Sequence, residues 1–472
     1  MPEFLSCNLG RFVGSQLPNA AGIELRNATG NSALCCLKMV SGARMLGKLT
    51  LIRDGLKADG MARHGSMMAI FGLLGGFFAY LYQLSMGIML TPVQYGMLLS
   101  LTSLFAIIMI ASQAIQTTLA KFTSKFRAEN SLGKINYLWR FSLKRTLVFG
   151  AALFLALALL TPLFSRFLHI DNQLYPIVLF SSLILAFAVP ANLGVLQGLQ
   201  RFFPLGFSTS FSAFLRFAIG ASLVYLGFKL YGGLIPFLIA NIIVFLITLS
   251  FLKDLDRAGN EKCEVSGLSS YTGLAFLAIF AFAVLTNIDV VLAKHYLSPE
   301  NAGNYSAISV LGRIALYAPM GVAVAMFPKT SELFEMGRGH RSVLRKAMLL
   351  TLLLAGGVVI IYWLFPDFIV NLLFGGEYPL AIPYLFKYGL AMSFFAISFL
   401  FLSLFLSRNQ TKVAYAFLSA MLIEIGLIIF FHASIAQIVD IMLISGTLCL
   451  VFILPFYLRE RRREAGGGIY NR

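Results

Sequence analysis

The chain has 472 residues, of which 58% are hydrophobic and 12% charged, against roughly 25% charged in ordinary soluble domains. Its formal net charge of +17 is not gathered into one basic face, as a nucleic-acid footprint would be, but lies in segments between long uncharged runs. Composition excludes a soluble globular fold, and the charge distribution argues against a nucleic-acid partner.

In chain order, residues 1–65 come first and lack clear helical periodicity. No basic segment leads into an apolar one, so this stretch is not a signal peptide. It reads either as a disordered cytoplasmic tail or as an over-extended start, because Met39, Met45 and Met61 all precede the first apolar run. The stretch "GARMLGK" (42–48) has the spacing of a phosphate-binding loop. Leu49 stands where Ser or Thr is needed and no buried strand precedes it, so neither an ATPase nor a cofactor is expected.

From "FGLLGGFFAYLYQLSMGIML" (71–90) onward the chain is a series of apolar runs. About 20 such residues cross a bilayer as a helix that satisfies its own backbone. Twelve spans are expected, near 67–90, 97–120, 145–166, 174–197, 207–228, 233–252, 271–294, 304–327, 347–365, 380–406, 413–432 and 436–458. The alternating pattern of a membrane β-barrel is absent. The fold class is therefore an all-α polytopic membrane protein. Its expected parts are an N-terminal six-helix bundle (66–253), a cytoplasmic linker (254–270), a C-terminal six-helix bundle (271–458) and a basic tail (459–472).

Assigning the loops to alternate sides places 31 of the 37 Lys and Arg residues on the side that holds both termini. Three fall on the other side (Arg166, Lys229, Lys294) and three inside spans (Arg216, Arg313, Lys387). By the positive-inside rule both termini are cytoplasmic. The basic loops 121–145 and 338–346 are topology signals first, and they also meet anionic lipid head groups. The five cysteines, Cys7, Cys35, Cys36, Cys263 and Cys449, show no metal or redox spacing.

One short turn is written twice. "LTPVQYG" (90–96) and "LSPENAG" (297–303) share Leu, Pro and Gly at an offset of 207 residues. The offset continues through Leu104 and Leu311, Thr123-Ser124 and Thr330-Ser331, Pro176 and Pro383, and Arg201 and Arg408. Leu and Ala matches are cheap in apolar sequence, whereas Pro, Gly and Arg matches in register are not. Six spans per half is an even number, so equivalent spans point the same way, and such halves are related by an axis along the membrane normal. Transporters built this way hold substrate near the midplane between the halves. The competing reading is a duplicated scaffold without transport. Pro and Gly place both turns where the chain reverses at the membrane surface.

The stretch "TNIDVVLAKHYLSPENAGNYSAISVLGRIALYAPMGVAVAMFPKTSEL" (286–333) resembles the polysaccharide flippase branch of the multidrug/oligosaccharidyl-lipid/polysaccharide exporter superfamily. It carries an Asp in the seventh span, an S-P-E-x-A-G-x-Y turn and an eighth span ending in F-P-K. Weaker versions are "LTPVQYGMLLSLTSLFAIIMIASQAI" (90–115) and "GVLQGLQRF" (194–202), and the likeness covers roughly residues 65–460. The resemblance implies a MATE-like pair of bundles around a central, partly hydrated cavity. It implies export of an undecaprenyl-pyrophosphate-linked oligosaccharide across the inner membrane of a prokaryote, coupled to H+ or Na+. It also implies association with the polymerase or glycosyltransferases of the same pathway.

Five ionisable residues lie within spans: Arg216, Asp289, Arg313, Lys387 and Glu424. A charge at mid-span costs about 2.5–3.5 kcal/mol on insertion scales, so it normally faces a cavity or a partner. Their repeat-equivalents are uncharged (Ile423, Tyr82, Ala106, Phe180 and Phe217), so the scaffold is duplicated and the charge is not. Arg216, Arg313 and Lys387 are candidate cavity cations for a pyrophosphate, which a guanidinium binds in a forked geometry. Lys387 alternatively snorkels to the interface. Asp289 and Glu424 are candidates for coupling or gating. Asp289 alternatively forms a static pair with Arg313, and Glu424 either faces Arg216 across the cavity or bonds a neighbouring helix. Tyr80, Tyr82, Gln83 and Gln113 are polar enough to line a lumen, and Gly72 and Gly76 have the spacing of a helix-packing motif. No metal site is expected.

Two other functions compete. A MATE-type drug or cation antiporter needs a net acidic cavity, whereas the deep charges here are three positive and two negative. A membrane-embedded glycosyltransferase or polymerase needs a clustered catalytic loop. Asp171, Glu300, Asp367, Glu377 and Asp440 are too scattered for one, so the protein is not expected to be an enzyme.

Overall fold

The computed structural model describes residues 60–465 except 258, 260, 263–269, 337 and 338. Expectations for the N-terminal tail, the 42–48 stretch, four of the five cysteines, much of the linker and the end of the basic tail lie outside the described residues. The chain divides into units 1–66 and 67–472, and the helices belong almost wholly to the second.

Helices account for nearly all described residues, and no strand occurs among them. The N-terminal half comprises α1 (Ser66–Met89), α2 (Pro92–Ala128), α3 (Leu132–Leu159), α4 (Leu174–Gly198) and the stretch Phe202–Phe251. The C-terminal half comprises α7 (Gly273–Tyr296), α8 (Pro299–Phe334), α9 (Arg341–Leu364), α10 (Pro379–Ser407), α11 (Thr411–Phe430) and α12 (Ile435–Arg459). These are 11 stretches long and apolar enough to cross a membrane among the described residues. The stretch Phe202–Phe251 contains a reversal. Gly227 at φ 91° and Lys229 at φ 48° leave the helical region, which glycine does at little cost. They divide it into α5 (Phe202–Leu223) and α6 (Lys229–Phe251), which pack side by side. Eleven stretches with one divided make twelve spans, and the protein is a multi-pass membrane protein.

Several helices outrun their expected spans. α2 has 37 residues, about 55 Å at 1.5 Å per residue, so its last turns project past a hydrocarbon core of about 30 Å. Its final residues belong to the basic loop 121–145. The end of the molecule that carries that loop is the basic end, and the opposite end, which carries the duplicated turns, is the turn end.

Both turns start a helix in the same way. The Thr91 hydroxyl accepts from the Gln94 amide at 3.4 Å with Pro92 at the first helical position, and Ser298, Asn301 and Pro299 repeat the arrangement at 3.4 Å. Hydroxyl caps and a first-turn proline are the expected start signals. The glycines lie inside the helices rather than at the reversal itself. A Cβ on Gly96 would stand 3.0 Å from the Gly303 nitrogen, and one on Gly303 would stand 2.1 Å from the Pro92 carbonyl oxygen. The two copies of the turn therefore pack on each other, and α2 meets α8 there with no room for a side chain at Gly303. Gly72 and Gly76, by contrast, have no neighbour within 4 Å of a built Cβ, so they do not pack helices.

Reciprocal contacts surround this crossing. The short helix after α3, Thr161–Phe167, presents Phe167, which stacks on His295 of α7 with ring centres 4.0 Å apart. The short helix after α9, Pro366–Phe374, presents Phe374 against Tyr95 of α2 at 6.0 Å. The Tyr378 hydroxyl donates to the Gly87 carbonyl at 2.9 Å. Each half thus lays an aromatic ring on the other.

The buried core follows the same geometry. At the turn end one apolar cluster includes residues of both halves, among them Met86, Tyr95, Leu98, Tyr305, Phe374 and Tyr378. Toward the basic end the core separates into a cluster of the N-terminal half around Phe126, Trp139 and Leu196, and one of the C-terminal half around Met326, Leu344 and Leu404. Among the described residues the halves thus share one cluster that includes the turn end, and the two smaller clusters toward the basic end each belong to one half.

At the basic end Arg201 grips Asp254 with both guanidinium nitrogens, one bond being 2.9 Å. The forked hydrogen bond holds the Asp254 carboxyl below its ordinary value and raises that of Arg201. The repeat-equivalent Arg408 instead lies against His340, 2.5 Å from its Nδ1, and over the Phe334 ring.

Candidate functional site

A cavity of about 440 Å³ lies between the halves. The N-terminal half contributes Gln83 of α1, Thr102, Ser103 and Gln113 of α2, Arg216 of α5 and Asn241 of α6. The C-terminal half contributes Asn287 of α7 and Arg313 and Tyr317 of α8. Two of the three predicted cavity cations therefore meet in one space, one from each half. No Asp or Glu is among the lining residues.

Arg216 points into this space from the middle of α5. Its Nε lies 3.4 Å from the Ser212 carbonyl and its guanidinium sits 5.3 Å from the centre of the Phe237 ring. No carboxylate of the described residues pairs with it. The aromatic face gives the cation a weak partner of the cation–π kind.

Arg313 sits where α8 is interrupted, between Gly312 and Ile314, and α7 is interrupted beside it at Asn287, φ −138°. Asp289 follows that break and is completely buried. Its Oδ1 lies 3.5 Å from Nη2 of Arg313. Its Oδ2 accepts from the Tyr305 hydroxyl at 2.9 Å and from the Tyr388 hydroxyl at 2.6 Å, and Ser309 lies 3.0 Å from that same Tyr388 hydroxyl. The predicted pair is present, with one carboxylate oxygen held by two tyrosines. The other faces Arg313 by charge alone, because Nε and Nη2 of Arg313 make no hydrogen bond among the described residues. Arg313 is 7% exposed and lines the cavity, whereas Asp289 does not. The arginine stands between a hidden carboxylate and the open space with donors unspent.

The structure places the other two candidates elsewhere. Lys387 does not line this cavity; its ammonium bonds Asp440 at 3.0 Å, with both side chains about half exposed. A flexible lysine near a helix end reaches the interface more cheaply than it desolvates. Glu424 is completely buried in α11 beside the Ser445 hydroxyl of α12. It does not face Arg216 across the cavity, and its carboxyl oxygens make no hydrogen bond of ordinary geometry among the described residues. Of the lumen candidates, Tyr82, Gln83 and Gln113 line the cavity and Tyr80 does not.

Four further residues belong to the site although their types do not mark them in the sequence as buried charges. Tyr305 and Tyr388 hold Asp289, and Asn241 and Asn287 supply amides to the cavity. Their signal in the sequence is an amide or phenol inside an apolar run, as in "LIANIIV" (238–244).

A second cavity of about 620 Å³ continues from the first, sharing Ala106, Met109, Gln113, Asn287 and Tyr317. Its remaining walls are largely apolar, with Phe282, Met320, Val324, Phe327 and Leu406 prominent. Phe327 and Leu406 lie near the ends of α8 and α10, so this wing runs toward the basic end. No cluster of metal-ligating side chains occurs among the described residues.

In comparisons with known proteins, the family model described as "Polysaccharide biosynthesis protein" matches residues 81–383. None of the curated proteins compared with the chain matches it by sequence. Among solved structures, the fold is similar to the inward-facing conformation of a multidrug resistance MATE family transporter of the MOP superfamily. The TM-score is 0.65 at 13% identity over 82% of this chain and 95% of that one. The outward-facing conformation of such a transporter gives 0.62 at 14% identity, over 85% and 96%. A MOP superfamily transporter from Pyrococcus furiosus, described as having a binding pocket of reverse polarity, gives 0.60 at 15% identity, over 84% and 94%. With the family model covering well over half of the chain, the chain belongs to the polysaccharide biosynthesis protein family, and its fold is that of the MATE transporters it matches along nearly their whole length.

Proposed function

We propose that the protein is a flippase that moves a lipid-linked, pyrophosphate-bearing oligosaccharide across the cytoplasmic membrane by alternating access. The observation that carries this reading is the meeting of Arg216 and Arg313 in one carboxylate-free cavity. Two guanidinium groups from opposite halves suit a diphosphate. The amides and hydroxyls of Gln83, Gln113, Asn241, Asn287 and Thr102 suit sugar hydroxyls. The apolar wing suits the start of a polyprenyl chain. A drug or cation antiporter would place carboxylates where these cations stand.

The basic end is cytoplasmic on this reading, as the loop charges require. The conformation described then has its outer end closed by the Gly96–Gly303 crossing and the reciprocal aromatic contacts. An anion arriving at Arg313 competes with Asp289 for the guanidinium. Asp289 and the buried Glu424 are the groups through which an ion gradient acts.

The test is transport of a lipid-linked oligosaccharide in proteoliposomes. Arg216→Ala and Arg313→Ala each abolish it on this reading; retained transport in both overturns the cationic cavity.

A further inference from the structure

A cavity of about 900 Å³ lies at the basic end of the C-terminal half, sharing no lining residue with the two central cavities. Its mouth is formed by His340, Arg341, Ser342 and Arg345 at the start of α9. Its deeper wall is Met348, Leu349 and Leu352 of the same helix, closed by Phe401 of α10 and Tyr457 of α12. Positions 341, 345, 348, 349 and 352 recur every three or four residues and so form one stripe along the helix. The stripe changes from guanidinium to hydrocarbon over eleven residues, about 16 Å along the axis.

That gradient is the profile of a lipid. Leu349 and Leu352 are 60% and 50% exposed, so the apolar end is open to the bilayer rather than sealed in protein. Arg345 pairs with no carboxylate among the described residues. The amides of the first turn and the positive end of the helix dipole add to the attraction for an anion. His340, 3% exposed, is held by Arg408 behind the mouth. A free phosphate would use the mouth and leave the apolar stripe unexplained.

We infer that this cavity holds the phosphate head group of an anionic membrane phospholipid, with one acyl chain lying along Leu349 and Leu352. The site is independent of the transport cavity, so the lipid is a bound partner rather than cargo. It ties the C-terminal half to the leaflet at the basic end.

The experiment uses the full chain in phosphatidylcholine nanodiscs, with phosphatidylglycerol carrying a photoreactive group in its acyl chain. Cross-links are mapped by mass spectrometry and should fall on the 348–352 segment and Phe401. Unlabelled phosphatidylglycerol should compete, and phosphatidylcholine and inorganic phosphate should not. Arg341→Ala with Arg345→Ala should cut labelling roughly thirty-fold, because each basic residue near an anionic lipid contributes about fivefold. The Arg341→Lys, Arg345→Lys pair should keep labelling within a few-fold. Leu352→Glu, a change on an exposed face that spares the mouth, should also abolish it by placing a carboxylate in the chain path. Labelling that survives both the alanine pair and Leu352→Glu, or equal competition by phosphatidylcholine, overturns the site. Competition by inorganic phosphate alone overturns the lipid in favour of a free anion.

Discussion

Gly96 and Gly303, the last residues of two matched heptapeptides, lie against each other where α2 crosses α8, with the Gly303 nitrogen 3.0 Å from a Cβ built on Gly96. The duplicated turn is thus its own partner, one copy from each half. If the halves rock, this is the contact that must loosen when the turn end opens.

That geometry ranks two substitutions. Gly303→Ala drives a methyl to 2.1 Å from the Pro92 carbonyl oxygen, whereas Gly96→Ala makes only a tight contact. Gly303→Ala should therefore cost about 1–3 kcal/mol, the usual range for overpacking, and Gly96→Ala clearly less. Melting in detergent measures the order. Cysteine cross-linking across the turn end should also fall for Gly303→Ala. Equal melting of the two variants would remove the crossing as a constraint.

Removing Asp289 should be severe, and for a reason that can be separated from coupling. Asp289→Ala leaves Arg313 buried without its counter-charge, a loss of about 3–5 kcal/mol. The Asp289→Asn, Arg313→Gln pair removes both charges and should recover most of that stability, as a double-mutant cycle on melting would record. Asp289→Asn alone should make transport in vesicles insensitive to an imposed proton or sodium gradient. Persistent gradient dependence would make Asp289 purely structural.

Lys387 supplies the internal control for the cavity. It bonds Asp440 at the surface and lines neither central cavity. Lys387→Ala should transport within about twofold of wild type, the scale of an exposed pair worth less than 1 kcal/mol. Arg216→Ala and Arg313→Ala, measured in the same proteoliposomes, should abolish transport. A defect in Lys387→Ala as deep as theirs would show that the assay reads positive charge in general rather than the cavity.

The Arg201–Asp254 fork predicts a pH signature. Arg201 hydrogen bonding holds the Asp254 carboxyl below its ordinary value. A depressed folded-state value gives stability that is present above the unfolded carboxyl pKa of about 3.9 and is lost as pH falls through the folded one. The difference in melting between wild type and Asp254→Asn should be small, because the pair is partly exposed. It should stay constant at neutral and mildly acidic pH and vanish on further acidification. A difference that grows as pH falls would contradict the pairing.

The spans and the duplicated turns were legible in the sequence, because a bilayer demands about 20 apolar residues per crossing and Pro and Gly mark the reversals between them. The charge asymmetry of the loops and the flippase resemblance at 286–333 came from the same string. Which deep groups face one another was not legible. Lys387 and Tyr388 are neighbours in sequence, yet one bonds Asp440 at the surface and the other bonds the buried Asp289. Successive helical residues differ by about 100° in direction, and only the packing of α10 against α8 and α12 fixes which of them turns inward. Linear position leaves Glu424 either facing Arg216 or bonding a neighbouring helix, and only the packing of α11 against α7 and α12 decides that it is enclosed within its own half. The sequence by itself determined how many times the chain crosses and where charge is tolerated. Tertiary structure alone decided that Arg216 and Arg313 share a cavity and that the two turns touch, because those relations depend on helix rotation and on contacts between halves far apart along the chain.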